Sequence, residues 1–166
     1  MPLIKNGVFV DDPYAKLGDA DPLPTDRPFV LSLARFRKER DQVLAGNSAR
    51  GIQLKSDESP EALGHDLPRL SVVALEFPKF RDGRAFSWAR MLRTRLGFAG
   101  EIRATGHFLY DQINFMHRTG FDAFEVPDGF RLEEFARALG EITNVYQPSV
   151  DGRTTVRALR SALPRS

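Results

Sequence analysis

Positive charge is concentrated in residues 77–98, FPKFRDGRAFSWARMLRTRLGF, directly after an apolar run that is typical of a buried strand. Six basic residues stand there against a single acid, Asp82. Arg81, Arg84 and Ser87 fall in the loop and the first turn of the helix that this segment predicts. Free backbone amides and the helix dipole attract anions at such a place. Two guanidinium groups and a hydroxyl therefore predict a site for a phosphate, a sulfate or a carboxylate.

The same segment also permits a purely structural interpretation. Asp82 would cap the helix, while Arg81 and Arg84 would pair with nearby acids such as Glu76. The later arginines, Arg90 and Arg93, point in different directions on a helical wheel. Such a spread is typical of a solvated surface and not of one shared ligand.

His107 and Asp111 stand four residues apart at the start of the next predicted helix. This spacing would put both on one helix face, where the carboxylate could orient the imidazole for general acid or base catalysis. The alternative is a histidine near the helix cap and an aspartate that is stabilised by the helix dipole, with no chemistry. That structural role is the more common one for such a pair.

Composition and motifs exclude several classes of site. The chain has no cysteine, which removes thiolate nucleophiles, disulfides and cysteine-ligated metal centres. The three histidines lack metal-ligand spacing, and no nucleotide-binding glycine loop or nucleophile elbow occurs, so the sequence implies no metal and no cofactor. A net charge of +2 argues against nucleic-acid binding. No apolar run reaches the about 20 residues that cross a bilayer, so we expect no membrane contact and a cytoplasmic location.

The elements that must position these residues begin after an N-terminal arm, residues 1–28, which is rich in aspartate and proline. Over residues 29–146, apolar runs alternate with amphipathic stretches, and the connections are short. This alternation is the signature of successive βα units and a parallel sheet. We predict a single α/β domain with a parallel sheet of about five strands flanked by helices, or alternatively a partial TIM-barrel-like array.

Residues 147–166 form a C-terminal tail with a basic amphipathic pattern. The apolar positions of this pattern are Val156, Leu159 and Leu163. The pattern fits either binding to a partner protein or a frayed terminus.

Ligands of parallel α/β folds gather at the carboxyl ends of the strands, where loops converge and helix N-termini point into a crevice. This rule selects the polar residues that follow three of the predicted strands: Glu76, Lys79, Arg81, Asp82, Arg84 and Ser87 after the first, Thr105, His107 and Asp111 after the second, and Glu125 and Asp128 after the third. Whether they converge depends on the order of the strands in the sheet, so their convergence is a hypothesis.

The run from Leu75 to Val126 resembles a bacterial family that is labelled as a domain of unknown function. The resemblance is carried by DGRxxSxARxLR, then DQ, then GFDAFE, in this order. Members of this family are typically encoded beside sulfite reductase and the other genes of assimilatory sulfate reduction. No catalytic role transfers with the matching positions, which are Asp82, Gly83, Arg84, Ser87, Arg90, Arg93, Asp111, Gln112, Gly120, Phe121 and Asp122.

The resemblance implies a pathway more than a reaction. The first hypothesis is an accessory protein that binds sulfite reductase or its electron donor, with an oxyanion near Arg81 and Arg84. The second is an oxidoreductase or other small-molecule enzyme of sulfur assimilation, with its site at the strand ends and His107 and Asp111 as an acid and base pair. The third is a structural subunit, because the open edges of a five-stranded sheet would be covered by another protein or a second copy of the chain.

Overall fold

The computed structural model describes residues 1–140 and 149–155, so the apolar positions of the tail lie outside the described residues. Within the described part, eight strands form one sheet: β1 (Leu3–Lys5), β2 (Val8–Val10), β3 (Ala15–Lys16), β4 (Phe29–Ser32), β5 (Arg50–Leu54), β6 (Val72–Phe77), β7 (Glu101–Gly106) and β8 (Ala123–Glu125). Four α-helices accompany it: α1 (Leu33–Ala45), α2 (Arg84–Thr94), α3 (Ile113–Thr119) and α4 (Leu132–Gly140). Two further segments are 3₁₀-helical, Pro60–Arg69 and Tyr110–Gln112.

The strand order in the sheet is β2-β1-β8-β7-β6-β5-β4-β3. All neighbours from β3 to β8 run parallel, whereas β1 pairs antiparallel with both β2 and β8. The predicted α/β class is confirmed. The prediction of about five parallel strands was wrong, because the first 28 residues supply β1, β2 and β3. These strands have only two or three residues, too few to show a hydrophobic period in the sequence.

The strands from β4 to β8 lie beside one another in chain order. Right-handed connections between successive parallel strands then put every connecting helix on the same face of the sheet. The sheet curls into a half-barrel with its helices outside. The concave inner face is therefore the place where side chains of neighbouring strands can meet without a helix between them.

Successive side chains of a strand alternate between these two faces. On β6, Val73, Leu75 and Phe77 belong to the hydrophobic core under the helices. Glu76 lies between two of them and therefore points to the concave face. The same alternation puts Thr105 of β7 on that face, since its neighbour Ala104 packs in the core.

The long periodic elements agree with the sequence. Helix α1 buries Leu33 and Phe36, which stand three residues apart on one helix face, and it ends before Gly46, a residue type that commonly follows a helix. Ser59 caps the next helical segment by accepting a hydrogen bond from the backbone N–H of Glu61, although this segment is a 3₁₀ helix. These features depend on local patterns, and so the sequence alone can predict them.

Candidate functional site

Strand register brings a hydroxyl and two carboxylates together on the concave face. Glu76 of β6 pairs in register with Thr105 of β7. Continuing the β7–β8 register by one residue sets Thr105 beside Glu125. Parallel strands are about 4.8 Å apart, so the three residues form a row about 10 Å long at the carboxyl ends of the strands. Of the residues that the strand-end rule selects, Glu76, Thr105, His107 and Glu125 line one cleft. The others are not among the residues that line it: Lys79, Arg81, Asp82, Arg84, Ser87, Asp111 and Asp128.

This row lies at a cleft of about 460 Å³. Polar side chains supply one part of its lining: Lys16, Gln53, Glu76, Thr105, His107 and Glu125. Apolar side chains supply the walls: Met1, Phe80, Phe108, Leu109 and Pro127. The size and the mixture of apolar walls with a few convergent polar groups are typical of small-molecule sites.

Glu125 is the more deeply buried of the two carboxylates, and cations surround it. Lys16 donates a hydrogen bond of 2.5 Å to Oε2 of Glu125, and the guanidinium of Arg103 lies 3.5 Å from Oε1. Lys16 lies on the edge strand β3, and four strands separate β3 from β8 in the sheet, so this hydrogen bond spans the concave face. The negative charge of Glu125 is thus compensated within the protein.

Arg103 lies below the cleft, and its side chain is only 1% exposed. Its guanidinium pairs with Asp12 at 2.6 Å and with Glu101 at 2.8 Å. Burial lowers the pKa of Arg103, but the hydrogen bond to Asp12 and the charges of Glu101 and Asp12 outweigh this effect, so the pKa of the guanidinium is raised. Glu101 also accepts a hydrogen bond of 2.7 Å from Lys5, which raises the pKa of that lysine. These contacts tie the N-terminal segment to the inner face of the sheet.

Glu76 differs from Glu125 in its surroundings. It is half-buried, and Nε2 of Gln53 approaches Oε2 of Glu76 at 3.5 Å. No cation pairs with Glu76 in the part of the chain that the structure describes. Its neighbour Thr105 is 3% exposed, and within the same described part its Oγ1 has no hydrogen-bond partner. The centre of the row is therefore the part of the cleft where polar groups lack partners.

The structure separates the predicted acid and base pair. His107 directly follows β7, is exposed and lines the cleft. Asp111 lies in the 3₁₀ segment Tyr110–Gln112, is exposed and is not among the residues that line the cleft. Since His107 precedes this helical segment, the helical spacing of four residues does not join the two side chains. A catalytic role for either residue stays a prediction.

The predicted anion ligands do not line one common cavity. Arg84 donates to Asp82 from Nε at 2.9 Å and from Nη2 at 2.7 Å, and Nη2 also donates to Oγ of Ser56 at 2.9 Å. The hydrogen bonds from Arg84, with a further one from Ser56, hold the pKa of Asp82 well below its usual range. Arg81 lies over the ring of Phe80, with 5.4 Å between the guanidinium carbon and the ring centroid. These contacts match the structural interpretation for Asp82 and Arg84, and the anion site stays a prediction.

Two further motif residues line a separate, smaller groove. Ser87 and Arg90 are both exposed and border a groove of about 140 Å³ together with Phe86 and Phe115. This groove lies between α2 and α3, on the helix side of the sheet. Ser87 is therefore directed away from the strand-end cleft.

The other motif positions hold the loops around the sheet. Arg93 donates to the carbonyl oxygens of Phe98, Gly100 and Gly120 at 2.7, 2.8 and 3.2 Å, and it also pairs with Asp122. Gly120 ends α3 with φ of 110°, and a Cβ there would lie 2.6 Å from Cγ of Arg93. Glycine is therefore required at position 120 for two reasons: the positive φ and the close approach of the Arg93 side chain.

Gln112 performs a similar structural role nearer the cleft. Its Oε1 accepts a hydrogen bond of 3.0 Å from the N–H of Leu109, and its Nε2 donates one of 2.9 Å to the carbonyl of Phe80. The two loops that carry the apolar walls are joined in this way. Of the remaining positions, Phe121 is part of the hydrophobic core and Gly83 directly precedes α2.

Sequence reasoning did not single out Lys16, Gln53 or Arg103. Gln53 stands near the end of the short apolar segment GIQL, which forms part of β5, so the strand-end rule could have selected it. Arg103 interrupts the otherwise uncharged strand segment IRAT, and a charged residue in a buried strand is a signal of a buried ion pair. Lys16 had no such signal, because its position depends on the pairing of β3 with β4.

Neither a metal cluster nor a membrane-spanning helix occurs in the described ranges 1–140 and 149–155. No group of three or more histidine or acidic side chains there could hold a metal ion. The helices in these ranges are also too short or too polar to span a bilayer.

Comparison with known proteins assigns the chain to a family. Residues 51–157 match the family model of a bacterial protein of unknown function, DUF934, whereas the search of curated proteins found no match. The match includes Gln53, Glu76, Thr105 and Glu125, and it does not reach the N-terminal residue Lys16. Because the match spans more than half of the 166 residues, this protein belongs to the DUF934 family of bacterial proteins of unknown function.

Proposed function

We propose that this protein is a small-molecule enzyme of sulfur assimilation whose site is the strand-end cleft. The observation that supports this proposal is the cleft, in which neighbouring strands present Glu76, Thr105 and Glu125 between apolar walls. In closed βα barrels, active sites lie at this same end of the strands, where they can be formed by several strands at once. The assignment to sulfur assimilation rests on the family resemblance carried by the DGRxxSxARxLR motif.

The two carboxylates of the cleft would have different roles. Glu125 forms ion pairs with Lys16 and Arg103, so its role would be to hold these two side chains in place. Glu76 has no such cation among the described residues, so it is the carboxylate available to a ligand, as a hydrogen-bond acceptor or as a general base. His107 at the rim would be a second titratable group within reach of a bound molecule.

Replacing Glu76 with glutamine should abolish growth on sulfate while leaving the protein folded. The amide has nearly the same shape as the carboxylate and can still bond to Gln53, so we expect the free energy of unfolding to change by less than about 0.5 kcal/mol. The measurement is growth of the encoding bacterium with the altered gene on sulfate or on cysteine as the only sulfur source. Growth should fail on sulfate and be restored by cysteine.

The matched control is Glu133→Gln on α4. The side chain of Glu133 is 74% exposed, and its carboxylate lies 3.8 Å from Arg131, away from the cleft. The control strain should grow on both sulfur sources. Normal growth of the Glu76→Gln strain on sulfate would rule out an essential role for this carboxylate.

A second candidate function is the accessory protein that binds sulfite reductase, with an oxyanion near Arg81 and Arg84. The observation that favours it is the edge strand β2, in which Val8, Phe9 and Val10 are 53%, 44% and 37% exposed. An uncharged apolar edge strand is a ready template for pairing with another chain. The N-terminal hairpin of β1 and β2 would then bind sulfite reductase, and the cleft would not be needed for this interaction.

Native mass spectrometry of the protein mixed with sulfite reductase from the same bacterium tests this candidate. The parent protein should give a heteromeric mass, and Phe9→Lys should abolish it because the lysine puts a charge on the pairing edge. The control Phe115→Lys changes an exposed aromatic residue on the helix side, so it should retain the complex. A mixture that shows only the separate proteins, or only a dimer of this chain, would exclude the accessory role.

A further inference from the structure

We infer that the cleft takes a ligand with a cationic amine, whose ammonium group is held between the carboxylate of Glu76 and the hydroxyl of Thr105. This inference rests on the proposed function, in that it assumes the cleft to be a small-molecule site. It adds the chemical class of the ligand and the two side chains that select it.

The first argument is the balance of charge at the concave face. Beside Glu76, three acids and three bases of this face pair with one another through hydrogen bonds or short ion pairs: Asp12, Glu101 and Glu125 with Lys5, Lys16 and Arg103. Each of these bases is thus engaged by an acid. The N-terminal ammonium of Met1, which also lines the cleft, lies 4.0 Å from Asp128. Glu76 has no paired cation among the described residues, so beside this carboxylate a cationic ligand is favoured over an anionic one.

The second argument is the hydroxyl of Thr105, which is independent of charge. Its side chain lines the cleft and is 3% exposed, and its Oγ1 has no hydrogen-bond partner among the residues that the structure describes. A buried polar atom without a partner is costly, and native structures rarely keep one without a bound water, ion or ligand. A donor group of a ligand would satisfy this oxygen.

The third argument is distance. Glu76 and Thr105 are partners in the parallel register of β6 and β7, and they share one face of the sheet. Side chains of such neighbours start about 5 Å apart, so a single small group can contact both. An ammonium group has three donors and no acceptor, which suits one carboxylate and one hydroxyl oxygen better than an anion or an ether would.

The apolar walls define the rest of the ligand. Phe80, Phe108 and Leu109 line the cleft beside this polar pair. They would take a hydrocarbon or aromatic body attached to the amine. A free oxyanion such as sulfite would instead be repelled by the carboxylate of Glu76, while Lys16 of the lining is already bound to Glu125.

Three probes that share one ring and differ in the polar group test this inference: benzylamine, benzyl alcohol and benzenesulfonate. Each is titrated into the full-length ¹⁵N-labelled protein at pH 7, and backbone amide shifts are followed by NMR. Benzylamine should shift the amides of residues 76, 105 and 106 and bind about tenfold tighter than benzyl alcohol, the size expected for one charge-assisted hydrogen bond. Benzenesulfonate should bind more weakly than the alcohol.

Two variants check which side chains provide the selectivity. Glu76→Gln should reduce binding of benzylamine to the level of benzyl alcohol, and Thr105→Val, which keeps the side-chain shape, should weaken it by a smaller factor. Glu133→Gln, on the exposed face of α4, should leave all three affinities unchanged. Retained tenfold selectivity in Glu76→Gln would overturn the assignment of this carboxylate.

The outcomes separate the inference from the proposed function. Equal affinities for the three probes, or tightest binding of benzenesulfonate at the same amides, would overturn the cationic class and leave the cleft as a small-molecule site. If none of the three probes shifts the cleft amides, both the cleft as a site and the ligand class are overturned.

Discussion

Replacing Arg103 with methionine should lower the free energy of unfolding by about 3–5 kcal/mol. The guanidinium is buried and forms ion pairs with Asp12, Glu101 and Glu125. The side chains of Glu101 and Glu125 are largely buried, whereas that of Asp12 is 24% exposed. Methionine fills a similar volume but supplies no charge. Each carboxylate would keep the free-energy cost of its burial and lose the guanidinium as a compensating partner, although Lys5 stays beside Glu101 and Lys16 beside Glu125. Equilibrium unfolding in urea, followed by circular dichroism, measures this loss.

The control for this prediction is Arg37→Met on the exposed side of α1. It makes the same chemical change without removing a buried partner, so the free energy of unfolding should change by less than about 0.5 kcal/mol. Combining Arg103→Met with Glu101→Gln and Glu125→Gln should recover part of the stability, because the uncompensated charges are then removed. Equal stability of the Arg103→Met and Arg37→Met proteins would show that the network contributes nothing.

Replacing Gly106 with alanine should lower the free energy of unfolding by about 3 kcal/mol or more. Gly106 ends β7 with φ of 87°, a conformation that costs an L-residue about 1–2 kcal/mol. In addition, a Cβ at this position would lie 2.5 Å from the carbonyl oxygen of Phe77. That oxygen belongs to the buried strand β6 and accepts a hydrogen bond from the N–H of His107. The backbone therefore cannot move away without breaking the edge of the cleft.

Gly129→Ala separates the two contributions. Gly129 has nearly the same backbone conformation, with φ of 82°, but a Cβ there would meet no heavy atom within 4 Å beyond its chain neighbours. This variant should lose only the conformational part, about 1–2 kcal/mol. Thermal and urea unfolding of the two variants provide the comparison. A loss at Gly106 no larger than the loss at Gly129 would contradict the close contact with Phe77.

Local patterns in the sequence were sufficient for the elements that carry most of the fold. Helix α1 with its buried Leu33 and Phe36, strand β6 and the cap at Ser59 all follow from the identity of neighbouring residues. The strand-end rule also selected Glu76, Thr105, His107 and Glu125. It succeeded for these four because it depends on the direction of parallel strands, which the alternation of strands and helices already predicts. It also selected residues of the loops and helices beyond the strands, such as Ser87 and Asp111, which do not line the cleft, because their placement depends on how those segments fold.

Only the tertiary structure decided which partners these residues have. Strand β1 pairs with β2 across the turn at Asn6 and Gly7, which is a local hairpin signal. The pairing of β1 with β8 and of β3 with β4 joins segments that are separated along the chain, and such pairing leaves no periodic signal. The curl of the sheet brings Lys16 to Glu125, and the folding of the loop after β6 turns Arg84 towards Asp82 and Ser56. The sequence by itself therefore determined the α/β class and the candidates at the strand ends. The half-barrel, the compensation of Glu125 and the lone carboxylate of Glu76 arise from contacts between distant segments, which residue types and their spacing do not encode locally.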